Sequence, residues 1–201
     1  MRLLPYGPRA ILAEYASLEE VMGITERLRD LALPGVTDVV PAARTVLVQH
    51  DGRGRGETDA IEAALSSPVS WTPPTSEPVL IDVRYDGEDL DEVARATGLT
   101  VDDVVSAHAG ATYVAAFCGF MPGFAYLTGL DPRLHLPRRA TPRPRVPAGS
   151  VAIASEFTGI YPMVSPGGWH LLGSTDAELW DETRSEPALV APGATVRFVP
   201  T

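Results

Sequence analysis

Along the first third of the chain the apolar positions change period repeatedly. Short apolar runs at 3–6 and 10–15, separated by Gly7-Pro8, predict two strands with a turn between them. Val21, Ile24, Leu28 and Leu31 then recur at three- and four-residue intervals, and Ser17 with Glu20 has the spacing of a capping box. This predicts a helix over 17–33, stopped by Pro34-Gly35. Runs at 36–40 and 45–50 predict a second strand pair around residues 41–44, and after the glycine-rich loop 51–56 a short helix passes through Ile61 and Leu65. The order ββαββα fits a small open sheet carrying helices on one face.

Residues 71–78 hold three prolines, cannot sustain a helix and coincide with a change of composition, so a domain boundary is expected there. Residues 79–85 predict a strand. Residues 82–103 carry eight acids and two arginines and include two short helices near 90–97 and 101–107, the first ended by Gly98, the second started by Thr100 with Asp103. A solvated helix face is the plain reading of that charge. After His108 the texture changes: residues 110–173 hold nine glycines and eight prolines among short β-rich runs at 113–117, 150–154 and 169–173, and the chain closes on 195–199. Many short strands joined by Gly/Pro turns predict a β-barrel or sandwich.

With 201 residues, 45% hydrophobic and 21% charged, the chain has enough apolar material for a core in one large or two small domains. All 16 cationic residues are Arg, which excludes a Walker A phosphate loop, a Schiff-base lysine and a Ser-Lys dyad. A formal net charge of −10 argues against wrapping nucleic acid or an anionic membrane. The single Cys118 gives neither an internal disulfide nor a multi-cysteine zinc site, and the apolar run before Pro5 and Gly7 is too short for a signal peptide. A cytoplasmic protein that does not span a membrane is expected. The histidines, His50, His108, His135 and His170, show no metal-ligand spacing, so no metal site is expected.

Three clusters carry candidate chemistry. In residues 117–127, Phe117, Phe120, Phe124 and Tyr126 alternate with Cys118, Gly119, Pro122 and Gly123; the backbone bends while rings supply walls, either of a ligand pocket or of a barrel corner. Residues 132–147 hold Arg133, Arg138, Arg139, Arg143 and Arg145 with no acid before Ser155, a local +5 that leaves −15 on the remainder. Their planar forks suit phosphate or carboxylate, and prolines stiffen the segment. The alternatives are a loop paired with the acidic segment, or a docking patch for another protein chain. Third, Gly167-Gly168 offers backbone donors for an anion or simply a tight turn, beside the flat surfaces of Tyr161 and Trp169. His108 ends a predicted helix, where it either caps the C-terminus or handles protons at a domain junction. No serine lies in a G-x-S-x-G elbow.

The ordered blocks His108, Tyr113, Gly119-Phe120, Pro122-Gly123-Phe124, Tyr126-Leu127, Pro137-Arg138-Arg139, Thr141-Pro142-Arg143, Val146-Pro147-Ala148-Gly149-Ser150-Val151, Thr158-Gly159-Ile160-Tyr161-Pro162 and Ser165-Pro166-Gly167-Gly168-Trp169 resemble the family of 5-oxoprolinase B subunits. That family is also named allophanate hydrolase subunit 1 and includes the Kip I inhibitor of a sporulation histidine kinase. The strong part covers about residues 79–175, and the opening third agrees in layout.

The resemblance implies an α+β fold: an N-terminal ferredoxin-like α/β domain (1–77) followed by a cyclophilin-like β-barrel domain (78–201) similar to the carboxyltransferase part of urea carboxylase. It implies the B component of a heteromeric 5-oxoprolinase that, together with its A component and its Kip A-like C component, converts 5-oxoproline to glutamate at the expense of ATP bound by the assembled complex. Such a component is expected to be inactive alone. His108 is the expected catalytic residue. Arg138, Arg139, Arg143, Gly167, Gly168, Trp169 and Tyr161 are expected to bind substrate or another anion, with Phe120, Pro122, Phe124 and Tyr126 as the pocket wall. The alternatives are a Kip I-like inhibitor docking on a sensor histidine kinase, and a urea- or allophanate-directed carboxylase or hydrolase component. The chain departs from the family pattern at Ala109 (usually Thr), Phe157 (usually Gln) and Ser174 (usually Arg), each losing a polar group of the kind that positions a ligand.

Overall fold

The alternation in the first third is that of a sheet covered on one face. In the computed structural model, which describes residues 1–52, 54–72 and 77–201, strands β1 (Arg2–Pro5), β2 (Ala10–Glu14), β3 (Val36–Pro41) and β4 (Thr45–His50) form an antiparallel sheet in the order β1-β2-β4-β3. Helices α1 (Leu18–Leu31) and α2 (Arg55–Leu65) share the core with one side of it. Ile11 and Ala13 of β2 and Val46 and Val48 of β4 point inward against Val21, Ile24 and Leu28 of α1 and Ile61 and Leu65 of α2. The capping box forms as expected, with Ser17 Oγ accepting from the Glu20 N–H and the Glu20 carboxylate accepting from the Ser17 N–H. The helix ends before Pro34, because Ala32 enters the left-handed region at φ 42 and caps it. The strand order is that of a ferredoxin-like split βαβ sheet with the last strand moved to the front of the chain.

The chain divides into two compact units, Met1–Thr72 and Pro73–Thr201. The boundary expected at 71–78 takes in residues 73–76, which lie outside the described residues, as does residue 53 of the expected 51–56 loop.

The second unit is a nearly closed barrel. Its strands are β5 (Val79–Val83), β6 (Tyr113–Cys118), β7 (Ala125–Thr128), β8 (Arg143–Val146), β9 (Ser150–Ala154), β10 (Phe157–Ile160), β11 (Ser165–Gly167), β12 (His170–Ser174) and β13 (Thr195–Pro200). Seven of them run β12-β9-β10-β7-β6-β13-β5, and β8 pairs with β11 as a separate ribbon. Among the described strands only β13 and β5 pair in parallel. The two ends of the sheet meet where Arg84, just past β5, exchanges backbone hydrogen bonds of 2.9 and 2.8 Å with Ser174 at the end of β12. Closing the sheet in this way removes exposed edges. Helices α3 (Leu90–Thr97) and α4 (Val101–Ala109) start on Asp89 and Thr100, and Gly98 ends α3 in the left-handed region at φ 71. The Thr100–Asp103 capping box is present. Ile81, Val83, Val93, Val104, Leu127, Ile153, Leu172 and Phe198 fill the core.

Candidate functional site

On β10 the side chains divide two environments. Thr158 and Ile160 face the barrel interior, whereas Phe157 and Gly159 face an aromatic cluster on its outer side. Phe117 stacks on Tyr126 at 4.4 Å, and Phe124 makes edge contacts with Tyr126, Tyr161 and Trp169 at 5.0, 5.5 and 5.5 Å. These are the offset and perpendicular arrangements that ring quadrupoles favour. A Cβ at Gly159 would sit 3.0 Å from Ala125 O, 3.1 Å from Phe124 Cζ and 3.3 Å from Trp169 Cζ3, so any side chain there makes the rings or the strand shift. Phe157, where the resembling family carries Gln, packs edge-on against Phe117 and Tyr126.

The cluster opens into a cleft of about 90 Å³ lined by Phe120, Phe124, Tyr126, Arg138, Tyr161, Pro166, Gly167, Gly168 and Trp169. The structure therefore brings together most of the expected site: the aromatic wall, one arginine and the glycine pair. Pro122 is exposed in the turn before Phe124 and does not line the cleft. Phe120 stands over the opening with its backbone at φ 71 and its ring 59% exposed, edge-on to Phe124 at 5.5 Å and Tyr161 at 6.3 Å. A bulky residue in the left-handed region is strained.

Tyr161 is anchored by backbone hydrogen bonds to Gly149 and Ser150 at 2.7 and 2.9 Å. Its phenol lies against the Gly167 backbone so closely that any Cβ at 167 would collide with it. Burial raises the Tyr161 pKa, against the opposing pull of the Trp169 backbone N–H and of the Arg138 and Arg143 charges. The hydroxyl thus stays protonated near neutral pH. Arg138, two tyrosines and the glycine turn line a cleft with aromatic walls and no carboxylate among its lining residues. This suits a small anion with a flat apolar body.

The remaining expected residues lie elsewhere. Arg139 and Arg143 each place a guanidinium nitrogen 2.6 Å from Asp89 Oδ1, with Arg139 also 3.0 Å from Glu92. The alternative of a basic loop paired with the acidic segment describes these two arginines. Arg133 pairs with Asp131 at 2.7 Å. His108 is fully buried inside the barrel, on the opposite side of β10 from the cleft. Tyr85 O–H lies 2.8 Å from Nδ1, and Nε2 lies 2.9 Å from Thr158 Oγ1, whose own hydrogen goes to Ala152 O at 3.0 Å. That chain fixes the proton on Nε2. Burial lowers the His108 pKa to about 3, so the ring is neutral.

Burial also raises the Cys118 pKa, which disfavours a thiolate nucleophile. Ser174, where the family carries Arg, bonds Asp86 at 2.9 and 3.1 Å. Ala109 ends α4 beside the buried histidine. Among the described residues no group of three or more His, Cys, Asp or Glu is arranged to hold a metal, and no helix is long and apolar enough to cross a membrane. Asp89 escaped the sequence reading; its position before a predicted helix marked it only as one acid of a charged segment.

The family described as carboxyltransferase domain, subdomain C and D, matches residues 1–190. The chain is 41% identical over 190 residues to the 5-oxoprolinase B subunit of Escherichia coli O157:H7, covering 92% of this chain and 86% of that one. Among solved structures, the protein TTHA0988 superposes with a TM-score of 0.79 and 37% identity, over 96% of this chain but 40% of that longer chain. The K. lactis urea amidolyase superposes with a TM-score of 0.76 over 99% of this chain and 15% of its own, at 19% identity, a likeness of fold alone. By its match over nearly the whole length and its identity to a relative it largely covers, the chain belongs to the carboxyltransferase-domain family that holds the 5-oxoprolinase B subunits.

Proposed function

We propose that this chain is the B component of an ATP-dependent 5-oxoprolinase, and that the aromatic cleft holds 5-oxoproline. The observation that carries this reading is the convergence of Arg138, Tyr161 O–H and the Gly167-Gly168 turn on an acid-free cleft walled by Phe124, Tyr126 and Trp169. A five-membered lactam with one carboxylate presents the matching features: an anion for Arg138, a flat ring for the aromatic walls, and an amide oxygen for a hydroxyl or backbone donor. At about 90 Å³ the open cleft takes part of such a substrate, the rest standing clear of this chain.

ATP does not fit this cleft, because sites for ligands of that size have about 300 Å³ or more. In this reading the nucleotide is bound by the complex assembled with the A and C components. It supplies the activation that an unstrained lactam needs: a phosphoryl group on the amide oxygen makes the ring carbon a better electrophile for water. The C–N bond then breaks with the nitrogen as leaving group, and phosphate is released by hydrolysis, while this chain orients the ring. His108 has a structural part here: sealed, neutral and hydrogen-bonded at both nitrogens, it does not reach the cleft.

Purification with its co-encoded A and C components tests the proposal: ATP-dependent glutamate formation from 5-oxoproline is the expected outcome, and absence of turnover by a correctly assembled complex overturns it. A Kip I-like role is the second reading, favoured by the exposed apolar side chains of Phe120, Met163 and Val164. Co-purification with a sensor histidine kinase and loss of its autophosphorylation are the results it requires.

A further inference from the structure

We propose, resting on the reading of this cleft as the substrate site, that Asp89 is the positioning residue that holds the cleft's arginine-bearing wall. Asp89 is the residue before α3, where an aspartate ordinarily caps the helix with its carboxylate; here it makes no capping bond. Its side chain, 3% exposed, turns instead toward the ribbon formed by β8 and β11. Oδ1 accepts from Arg139 and Arg143 at 2.6 Å each, and Oδ2 accepts from the Leu171 N–H at 2.8 Å. The Asp89 N–H in turn donates to Leu171 O at 3.1 Å, so the acid is fixed to β12 by both backbone and side chain. Glu88 at 3.4 Å from Arg143 and Glu92 at 3.0 Å from Arg139 complete the charges around it.

The two arginines that Asp89 grips hold the cleft by their backbones. Arg139 N–H donates to Gly168 O at 2.8 Å, and Arg143 is the β8 partner of Gly167 in β11. One residue upstream of Arg138, Pro137 O lies 2.9 Å from His170 Nε2. Thus Arg138 is the unclamped side chain between Pro137 and Arg139, and it is the one that lines the cleft. Removing the charge of Asp89 leaves two guanidinium groups without their shared partner and frees the segment that carries Arg138, Gly167 and Gly168. A ligand held by those three groups then binds a wall of variable geometry.

Amide hydrogen exchange on the full chain, with steady-state kinetics of the assembled enzyme, tests this in Asp89→Asn. The expected result is exchange faster by on the order of tenfold at residues 138–143 and 165–169, with the β9 amides unchanged. KM for 5-oxoproline should rise by on the order of tenfold, with KM for ATP unchanged and partial rescue by Asp89→Glu. Unchanged exchange in those two segments, or exchange raised uniformly through the barrel, overturns the proposal. Should Asp89→Asn fail to fold, Arg139→Gln, which leaves Asp89 paired with Arg143, is read by the same two criteria. Faster exchange confined to the two segments with an unchanged KM for 5-oxoproline supports the clamp and sinks the substrate reading instead.

Discussion

The imidazole of His108 lies nearly flat against Phe198, ring centroids 4.7 Å apart and planes 19° from parallel. Burial drives its pKa from 6.5 down to about 3, so the unfolded chain binds a proton that the fold refuses between those values. Stability therefore falls as the pH is lowered through that window, by about 1.4 kcal/mol per pH unit from this group, and the contribution is level above it. Urea denaturation across the window measures the slope. His108→Gln should flatten it; a slope identical in wild type and variant would contradict the buried neutral ring.

Asp89 acts at lower pH. Burial pushes its carboxyl up, but the hydrogen bonds from Arg143 and Leu171 and the charges of Arg143 and Arg139 outweigh that and hold its pKa below the usual carboxylate value. Its contribution is present above about pH 4, the unfolded pKa, and is lost as pH falls below it. Asp89→Asn should cost on the order of 2 to 3 kcal/mol near neutral pH, less than for a fully buried pair because Arg139 and Arg143 keep 25% and 17% exposure. The gap from wild type should narrow in acid. A gap that is constant with pH would show that the charge of Asp89 is not what holds the wall.

Phe120 combines an unfavourable backbone conformation with a mostly exposed ring. Phe120→Gly removes strain of about 1 kcal/mol while giving up little burial, so thermal stability should hold or rise. The cleft loses its cover in the same variant, and KM for 5-oxoproline should increase. A marked fall in melting temperature would mean that the ring is there for packing rather than for a ligand.

Much of the fold is legible in the sequence. Both capping boxes, the alternation in β2 and β4, and the Gly98 stop announce themselves locally because capping and side-chain periodicity are local effects. Strands β7, β8, β10 and β11 are not: Pro144 and Pro166 read as turn residues, and runs of three or four residues are too short to show a period. Their pairing comes from the barrel and the β8–β11 ribbon, not from propensity. The rings of 117–127 and the arginines of 132–147 stand out by composition, as candidates for a ligand surface beside the alternatives of a barrel corner and of a paired or docking loop. Composition does not separate Arg138 from Arg139 and Arg143, because which arginine meets an acid depends on Asp89, 50 residues from Arg139 and 54 from Arg143 in sequence.

In the proposed function, Arg138 holds the carboxylate of 5-oxoproline in the aromatic cleft. It is tested most directly by KM in the complex assembled from Arg138→Gln chain with the A and C components. Loss of one charge-assisted hydrogen-bonding group should raise KM for 5-oxoproline by on the order of 10- to 100-fold, leaving kcat within a few-fold and KM for ATP unchanged. An unchanged KM for 5-oxoproline in a complex whose wild-type counterpart turns over would contradict it.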